Sequence, residues 1–435
     1  MEELSSNLET LSIQKEPLSV VLVGHVDAGK STIGGHLLFL CGMIDKRTLE
    51  KYERESKEIN RESWFWTWAL DTSTEEREKG ITVETAKACI ETATKRITVF
   101  DAPGHKSYVP SMISGAAQAD TGILVISARK GEFEAGFEKS GQTREHASLL
   151  RVFGVEKLIV VVNKMDEETV LWSEARYRDI VERVTVFLKQ CEYKPKTDLT
   201  FIPVSGFTGA NLKDKTDRCP WYKGDTLLGV LDKFPAVKRD AHGEFMFAVS
   251  GKYKESGLVV TGKVESGAVG KGDTVLVLPG KKKAEVVGIA EEDTEKESAR
   301  AGENVSLRLK GAGEEDLCSG SMLCGVRAPI ECGSEFEVRL CLLNIKNILT
   351  VGFSAVLHTN SAAVEVRVAE LVDTIDKTTR KRAGKRPAYA MNSQTIICRL
   401  STEREICYTK YSVCAGLGRF TLRDEHGTIA FGKIV

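Results

Sequence analysis

Apolar and polar positions in the first half of the chain follow two alternating periods. From Leu18 to about Lys238, short runs rich in β-branched residues are separated by stretches with a helical period. Strands that alternate with helices over short connections predict a mainly parallel sheet flanked by helices. The predicted strands span residues 18–23, 97–100, 122–127, 158–162 and 200–204, and the predicted helices span 30–41, 142–152 and 172–190.

After Pro235 the pattern changes to short alternating runs broken by Gly, Asn, Asp and Pro, which is typical of antiparallel barrels. The remaining chain is long enough for two small barrels. We therefore predict a multidomain fold of the α/β plus all-β class. Its predicted parts are a flexible lead-in over residues 1–17, an α/β domain over 18–238, and β-barrels over 239–327 and 328–435, with a seam at 327–330.

A long insertion follows the first predicted helix. Residues 46–62 carry acidic and basic side chains at spacings of three and four, which predicts a charged helix. Three tryptophans follow, namely Trp64, Trp66 and Trp68. They are interpreted either as packing that anchors the insertion or as a contact for a partner or the ribosome.

Charge and cysteine content restrict the classes of partner and compartment. The 435-residue chain has a formal net charge of −1, which gives no bulk attraction to nucleic acid, so an RNA-facing surface must be local. Six of the ten residues at 377–386 are basic, and they form either a solvated hairpin tip or a contact for ribosomal RNA phosphates. The eleven cysteines include no Cys-x-x-Cys pair, and unpaired thiols suit a reducing cytoplasm. We expect no membrane span, no DNA partner and a monomer when alone.

Five short segments, in order along the chain, form a nucleotide site with magnesium. The first, residues 24–31, matches G-x-x-x-x-G-K-[ST] between a strand and a helix. Its backbone N–H groups are expected to face phosphate oxygens, Lys30 to reach the β- and γ-phosphates, and Ser31 to ligate Mg²⁺. The phosphate-contacting residues predicted here are Asp27, Ala28, Gly29, Lys30, Ser31 and Thr32.

Two further segments are expected to sense the γ-phosphate. Asp101 ends a predicted strand and is expected to hold Mg²⁺ through water, while the N–H of Gly104 reaches the γ-phosphate. Thr82 offers its hydroxyl to Mg²⁺. Loss of the γ-phosphate removes the contacts that hold both loops, which predicts an order–disorder switch.

The last two segments select the base. The carboxylate of Asp166 can accept hydrogen bonds from guanine N1–H and the 2-amino group, which adenine lacks. Ser205 and Gly206 are expected to give a backbone N–H to guanine O6. The predicted ligand is therefore GTP or GDP, and the base-contacting residues are Asn163, Lys164, Asp166, Ser205, Gly206 and Phe207.

His105 directly follows Asp-Ala-Pro-Gly and is the predicted catalytic residue, which orients the attacking water. The alternative is a histidine packed beneath the following helix. No arginine is evident in cis, and such an arginine supplies about 10³- to 10⁵-fold in rate. We therefore expect slow hydrolysis by the chain alone.

The segments at 24–31 and 101–105 resemble those of the translational GTPases, most of all the elongation factor 1-alpha branch, over nearly all of residues 18–435. The resemblance implies a GTPase domain followed by two β-barrels, with Val26 and Ile81 as an apolar gate beside His105. Residues 43–54, 60–64, 68–71, 137–146, 219–222 and 418–424 go further and look like the class II release factors, the GTP-binding subunits of eukaryotic peptide chain release factor.

This closer resemblance implies a cytoplasmic translation-termination GTPase whose partners are the class I release factor and the GTPase-activating region of the ribosome. Its partner-site candidates are Gly418, Arg419, Phe420 and Arg423. The alternative reading of these residues is a glycine turn that enters a core strand with Phe420 and Leu422 buried.

Other functions stay open at this point. A ribosome-rescue GTPase that partners Pelota has similar motifs. Delivery of aminoacyl-tRNA is less favoured, because residues 358–362 read His-Thr-Asn-Ser-Ala where elongation factor 1-alpha has His-Thr-Ala-His-Ile. From a different class, the chain could be a GTP-gated adaptor whose hydrolysis is incidental. An ATP-sulfurylase-type GTPase subunit shares the architecture and is disfavoured by the termination-like segments.

Overall fold

The fold is described from a computed structural model of the protein. It covers residues 15–58, 64–70, 82, 85–138, 141–237, 239–255, 257–291, 294–318, 320–327, 330–343, 345–360, 362–376, 381–425 and 427–435. Several predictions fall wholly or partly outside these residues: most of the lead-in, Ile81 of the gate, the middle of the seam at 327–330, and residues 377–380 of the basic segment. The described chain divides into two compact units.

The first unit comprises the described residues up to Lys106, then Ala119–Arg144 and Lys157–Val237. Its six-stranded sheet has the order β2-β3-β1-β4-β5-β6, parallel except for the antiparallel pair of β2 and β3. The strands are β1 (Glu16–Gly24), β2 (Ala86–Glu91), β3 (Lys95–Asp101), β4 (Thr121–Ser127), β5 (Leu158–Asn163) and β6 (Leu199–Pro203). Its core joins apolar side chains of the parallel strands to those of two helices that begin at Lys30 and Leu227.

Four of the described helices lie where the sequence predicts them, and those at Val109–Gln118, Glu132–Phe137 and Leu227–Asp232 were not predicted. Those in the described residues are α1 (Lys30–Leu40), α2 (Lys46–Glu58), α3 (Val109–Gln118), α4 (Glu132–Phe137), α5 (Gln142–Val152), α6 (Glu174–Gln190) and α7 (Leu227–Asp232). Helix α6 begins two residues later than predicted, because the Ser173 side chain accepts from the Arg176 N–H and caps it while Trp172 adopts a φ of 55°. None of the described helices combines the length and apolarity needed to cross a membrane.

The second unit comprises Ser107–Gln118, Glu145–Glu156 and the described residues from Arg239 onwards. Its first barrel closes in the order β10-β15-β7-β8-β14-β11, with β10 paired to β11. Phe247 and Leu323 lie in its core. The strands of this region are β7 (Met246–Lys254), β8 (Leu258–Ser266), β9 (Ala268–Gly270), β10 (Thr274–Leu278), β11 (Lys282–Glu291), β12 (Thr294–Lys296), β13 (Ser298–Arg300), β14 (Asn304–Lys310) and β15 (Met322–Gly325).

The second barrel closes in the order β16-β19-β18-β17-β20-β21, with antiparallel pairing throughout. Its interior is filled by alternating apolar residues that include Leu340 and Phe420. The predicted class of an α/β domain followed by two antiparallel barrels is thus confirmed. The strands are β16 (Glu331–Leu342), β17 (Ser354–Thr359), β18 (Ala362–Ile375), β19 (Thr395–Tyr408), β20 (Arg419–Asp424) and β21 (Gly427–Ile434).

An apolar cluster joins the two barrels. Leu278 and Met322 from the first barrel pack with Ile330, Cys407 and Leu417, which belong to the second barrel and the segments beside it. Burial of such side chains stabilises the contact by roughly 25 cal/mol per Å² of apolar surface removed from water.

The described part of the basic segment is exposed and paired with acidic residues of the same barrel. Arg382 lies 3.3 Å from Glu337 and Arg386 lies 3.1 Å from Glu370. Exposed pairs of this kind contribute little to stability, about 0–1 kcal/mol. The segment therefore remains available for an anionic partner, and its contact with RNA stays a prediction.

Burial of His358 makes the stability of the second barrel depend on pH. Its side chain is in β17, 6% exposed, and burial together with the charge of Arg423 lowers its pKa to about 4. Because the unfolded chain takes up this proton near pH 6.5, protonation favours unfolding as the pH falls from about 6.5 to about 4. We expect a loss of about 3 kcal/mol of unfolding free energy over this window. Chemical denaturation at several pH values should show this component disappearing in His358→Gln and persisting in His242→Gln, where the histidine is exposed. An identical pH profile for wild type and His358→Gln would refute it.

Candidate nucleotide-binding site

The phosphate-binding loop connects the end of β1 to the start of α1. Gly29 caps the helix with a φ of 91°, and a Cβ there would lie 2.3 Å from the Asn163 Nδ2 atom, so both backbone conformation and space require glycine. The first N–H groups of α1 have no acceptor within the helix. They therefore form an anion site with the positive end of the helix behind it.

Lys30 is buried at the centre of this loop. Its Nζ donates to the carbonyl of His25 at 2.8 Å, and burial lowers its pKa while the charge of Asp101 opposes that shift. A Cβ on Gly104 would lie 2.4 Å from the same Nζ and 3.0 Å from the Val26 nitrogen. Gly104 thus lets the segment after β3 approach the phosphate-binding loop.

Oxygen donors suited to Mg²⁺ lie beside Lys30. The hydroxyls of Ser31 and Thr82 are 3.2 Å apart, and Asp101 is fully buried at the end of β3. Two hydroxyls and one carboxylate are hard ligands, a set that Mg²⁺ commonly uses together with water and phosphate oxygens. The residues predicted for the metal therefore fit it, and their role stays a proposal.

The side-chain amide of Asn163 connects two loops. Its Nδ2 donates to the carbonyl of Ala28 at 2.8 Å, and its Oδ1 accepts from the N–H of Gly206 at 2.8 Å. Asn163 is 2% exposed, so both bonds are shielded from water. In this structure Asn163 positions the phosphate-binding loop against the base-binding loop.

The predicted base-reading carboxylate is available. Asp166 lines the cavity and has no hydrogen-bond partner among the described residues. Lys164, at a φ of 60°, lines it too, and its Nζ contacts Glu132 at 2.8 Å. An unpaired carboxylate at the edge of a cavity can accept two donors from a ligand.

The prediction for Ser205 and Gly206 needs correction. The N–H of Ser205 donates to the Ala210 carbonyl at 3.1 Å and that of Gly206 donates to Asn163, so neither is free for guanine O6. The next N–H in the loop, that of Phe207, has no partner among the described residues, and Phe207 lines the cavity. Phe207 is therefore the better candidate donor.

The cavity itself has a volume of about 530 Å³. Several residues that line it were not predicted from the sequence, namely Trp64, Thr67, Arg129, Glu132 and Glu167. Glu132 accepts from Lys164, from the Ser127 hydroxyl at 2.8 Å and from Arg129 at 3.1 Å. Although burial opposes it, the hydrogen bonds from Lys164 and Ser127 lower the pKa of Glu132. No recognisable motif surrounds Glu132, so the sequence offered no signal.

The tryptophan segment packs against the base-binding loop through His36 of α1. The rings of His36 and Trp66 stack at 3.8 Å, and His36 Nδ1 lies 2.8 Å from the Gly206 carbonyl. Since a carbonyl can only accept, Nδ1 donates to it; burial lowers the pKa of His36, and this hydrogen bond opposes that shift. Phe65 also meets Phe207 edge-on at 6.3 Å. Trp66 and Trp68 are buried as packing residues, whereas Trp64 lines the cavity.

The predicted catalytic residue lies near the cavity but does not line it. His105 is half-buried and precedes a 3₁₀ turn at Lys106–Tyr108, whereas Val26 of the predicted gate does line the cavity. The other gate residue, Ile81, lies outside the described residues. The role of His105 stays a prediction.

The four predicted partner-site residues differ in their availability. Phe420 is fully buried in the second barrel, so its assignment to a partner surface is wrong and the core-strand reading holds for it. Gly418 is buried, and a Cβ there would meet the Tyr411 backbone at 2.4 Å. Arg423 pairs with Glu145 of the same compact unit at 3.1 Å and is 12% exposed. Arg419 remains half-buried and lies over the Tyr411 ring.

The comparisons with known proteins agree with this geometry. The family model described as elongation factor Tu GTP binding domain matches residues 15–250, more than half of the chain. The chain belongs to this family. Its two barrels match elongation factor Tu domain 2 over residues 257–324 and the GTP-eEF1A C-terminal domain-like family over 335–435. The bound nucleotide is accordingly GTP or GDP.

Individual relatives extend the likeness across the whole chain. It is 48% identical over 97% of its length to a eukaryotic peptide chain release factor GTP-binding subunit of Debaryomyces hansenii, and 47% identical over 97% to that of Schizosaccharomyces pombe. The chain covers 60% and 64% of those two proteins, so it spans about three fifths of their length. The S. cerevisiae Ski7 GTPase-like domain shares the fold, with a TM-score of 0.81, 17% identity, and coverage of 100% of this chain and 99% of that one.

Replacement of Asp166 by Asn should exchange the base preference. Xanthine carries a carbonyl where guanine has the 2-amino group, and the Asn amide can donate to it. We expect Asp166→Asn to lose GTP by about 10⁴-fold relative to XTP. Competition binding measures the ratio, with Glu167→Gln as the control from the same cavity. An unchanged GTP-to-XTP ratio would remove Asp166 from the base-reading role.

Replacement of Trp66 by Leu should loosen the base-binding loop. The lost ring stacking, worth about 0.5–1.5 kcal/mol, predicts GDP release that is faster by roughly 2- to 10-fold. Stopped-flow dissociation of a fluorescent GDP analogue measures this rate. Trp68→Leu is the matched control, since Trp68 is equally buried but contacts Tyr52 rather than His36. Equal acceleration in the two variants would indicate general destabilisation instead.

Proposed function

We propose that this chain is a translation-termination GTPase. In its GTP state it binds the class I release factor, and it hydrolyses GTP on the ribosome to promote peptide release. The observation that carries the proposal is the 48% identity over 97% of the chain to proteins named as release factor GTP-binding subunits. The unpaired Asp166 beside a phosphate-binding helix terminus supports the nucleotide part.

Hydrolysis requires groups that hold the phosphates and orient water. The N–H groups at the start of α1 and Lys30 hold the β- and γ-phosphates, and Ser31, Thr82 and Asp101 would hold Mg²⁺, which neutralises phosphate charge. His105 orients the attacking water. His105 directly follows Gly104, which lines the cavity, and we infer that a shift of its side chain brings it to that water.

We expect slow GTP turnover by the chain alone because of the ion pairs that its cavity-lining arginine forms. Arg129 is the arginine that lines the cavity within the described residues, and it pairs with Glu132 and Glu167 at 3.1 Å each. These pairs occupy its guanidinium beside Lys164, which also contacts Glu132. Among the described residues no other arginine lines the cavity, so we infer that the cation for the developing phosphate charge comes from a partner.

Contact with the class I factor is assigned to Arg419 and its surroundings. The guanidinium of Arg419 donates to the Tyr411 hydroxyl at 3.0 Å, and Lys433 Nζ lies 3.8 Å from the centre of the Tyr411 ring. The turn before β20 exposes Val413 beside them. A basic stack next to an exposed apolar side chain suits a partner surface with an acidic rim.

The proposal is tested by measuring GTP hydrolysis with ribosomes alone, then with class I release factor, and separately with Pelota. We expect strong stimulation only with the release factor. Arg419→Glu should weaken that stimulation at least about 10-fold, the size of a typical interface residue. Arg339→Glu is the control, because Arg339 is an exposed arginine on the same barrel.

Other outcomes assign the chain elsewhere. Stimulation by Pelota alone would indicate ribosome rescue, and protection of an aminoacyl ester would indicate tRNA delivery. His105→Ala distinguishes a hydrolysis-driven factor, which should stall with its partner bound, from a GTP-gated adaptor, which should keep its function.

A further inference from the structure

Two cysteines face each other where the second barrel begins. Cys332 in β16 and Cys407 in β19 are directly opposite in the antiparallel register, and their Sγ atoms are 3.6 Å apart. Cys332 is half-buried, whereas Cys407 is 3% exposed. Cys332 is therefore the more accessible residue of the pair for a reagent from solvent.

The surroundings give the two thiols different reactivity. The hydrogen bond between the two sulfurs lowers the pKa of Cys332. Burial opposes this shift, and the positive charge of Lys281 favours it. The same hydrogen bond, together with burial, raises the pKa of Cys407. The thiolate is the nucleophile in exchange reactions, so the accessible Cys332 is also the sulfur that reacts first.

The pair has the features of a dithiol rather than a metal site. Among the described residues no group of three or more His, Cys, Asp or Glu side chains could hold a metal ion. A disulfide needs its sulfurs at about 2.05 Å, so the two strands must approach slightly. A bulge between Gly333 and Glu335 interrupts the ladder one residue pair beyond Cys332, and such irregularity allows the strand to adjust.

We propose that Cys332 and Cys407 form an intramolecular disulfide on reaction with a small-molecule disulfide such as oxidised glutathione. The Cys332 thiolate attacks one sulfur of the reagent, and a mixed disulfide forms as one glutathione thiolate leaves. Cys407 then loses its proton and attacks the Cys332 sulfur, which releases the second glutathione thiolate. Two protein thiols are oxidised, and one glutathione disulfide is reduced to two thiols.

The proposal is tested by mass spectrometry of the folded 435-residue chain after incubation with oxidised glutathione. We expect the intact mass to fall by two hydrogen atoms, a cross-linked peptide that joins Cys332 to Cys407, and reversal by dithiothreitol. Cys407→Ser should instead trap a stable glutathione adduct on Cys332, because no resolving thiol remains. Cys332→Ser should give neither the disulfide nor an adduct on Cys407.

Cys341→Ser is the matched control, since Cys341 is a half-buried cysteine of the same strand. It should form the disulfide at a rate within about 2-fold of wild type. Adducts confined to the exposed Cys318, or a cross-link that joins Cys318 or Cys324 to either residue, would overturn the assignment. The peptide map of the wild-type chain decides this even if a variant fails to fold.

Discussion

The amide of Asn163 is the interaction on which the nucleotide site depends. It donates to the Ala28 carbonyl and accepts from the Gly206 N–H, and so fixes the distance between the loop that cradles phosphate and the loop that meets the base. Aspartate could not donate and alanine could do neither. Each buried group left without its partner costs about 1–3 kcal/mol. The side chain must therefore carry both a donor and an acceptor, which among short side chains asparagine supplies in this geometry.

The groups around this amide divide into those already bonded and those left for a ligand. Asn163, Gly206 and Lys164 have protein partners, and these bonds connect the loops to one another. The carboxylate of Asp166 and the N–H of Phe207 have none in the described chain. Hydrogen bonds within the site fix its loops, and a few convergent groups are left for the ligand. Such a site is preorganised, because little must reorder on binding.

Much of the fold was predictable because the two halves of the chain have different periods. Each motif follows a strand, and parallel strands bring their carboxyl ends to one edge, so the phosphate, switch and base segments had to converge. Strand β2 was missed, since Ala86–Glu91 is an edge strand with only two buried side chains and weak alternation. The burial of Phe420 could be predicted from its alternation with Leu422. The resemblance to release factors, however, implies that the same residues form a partner surface.

The sequence could not predict contacts between residues that are far apart along the chain and belong to no motif. Glu132 binds Lys164, and His36 binds Gly206 across 170 positions, and neither spacing is a pattern. The His36 contact shows why the tryptophan segment has two roles. The ring of Trp66 covers His36 and contributes to the burial that lowers its pKa, and the Gly206 carbonyl accepts a hydrogen bond from His36 Nδ1. Because the N–H of Gly206 also donates to Asn163, the insertion and the phosphate-binding loop are both connected to this one residue of the base-binding loop. Packing of the insertion therefore helps to position the loop that holds Phe207, the candidate donor to the base.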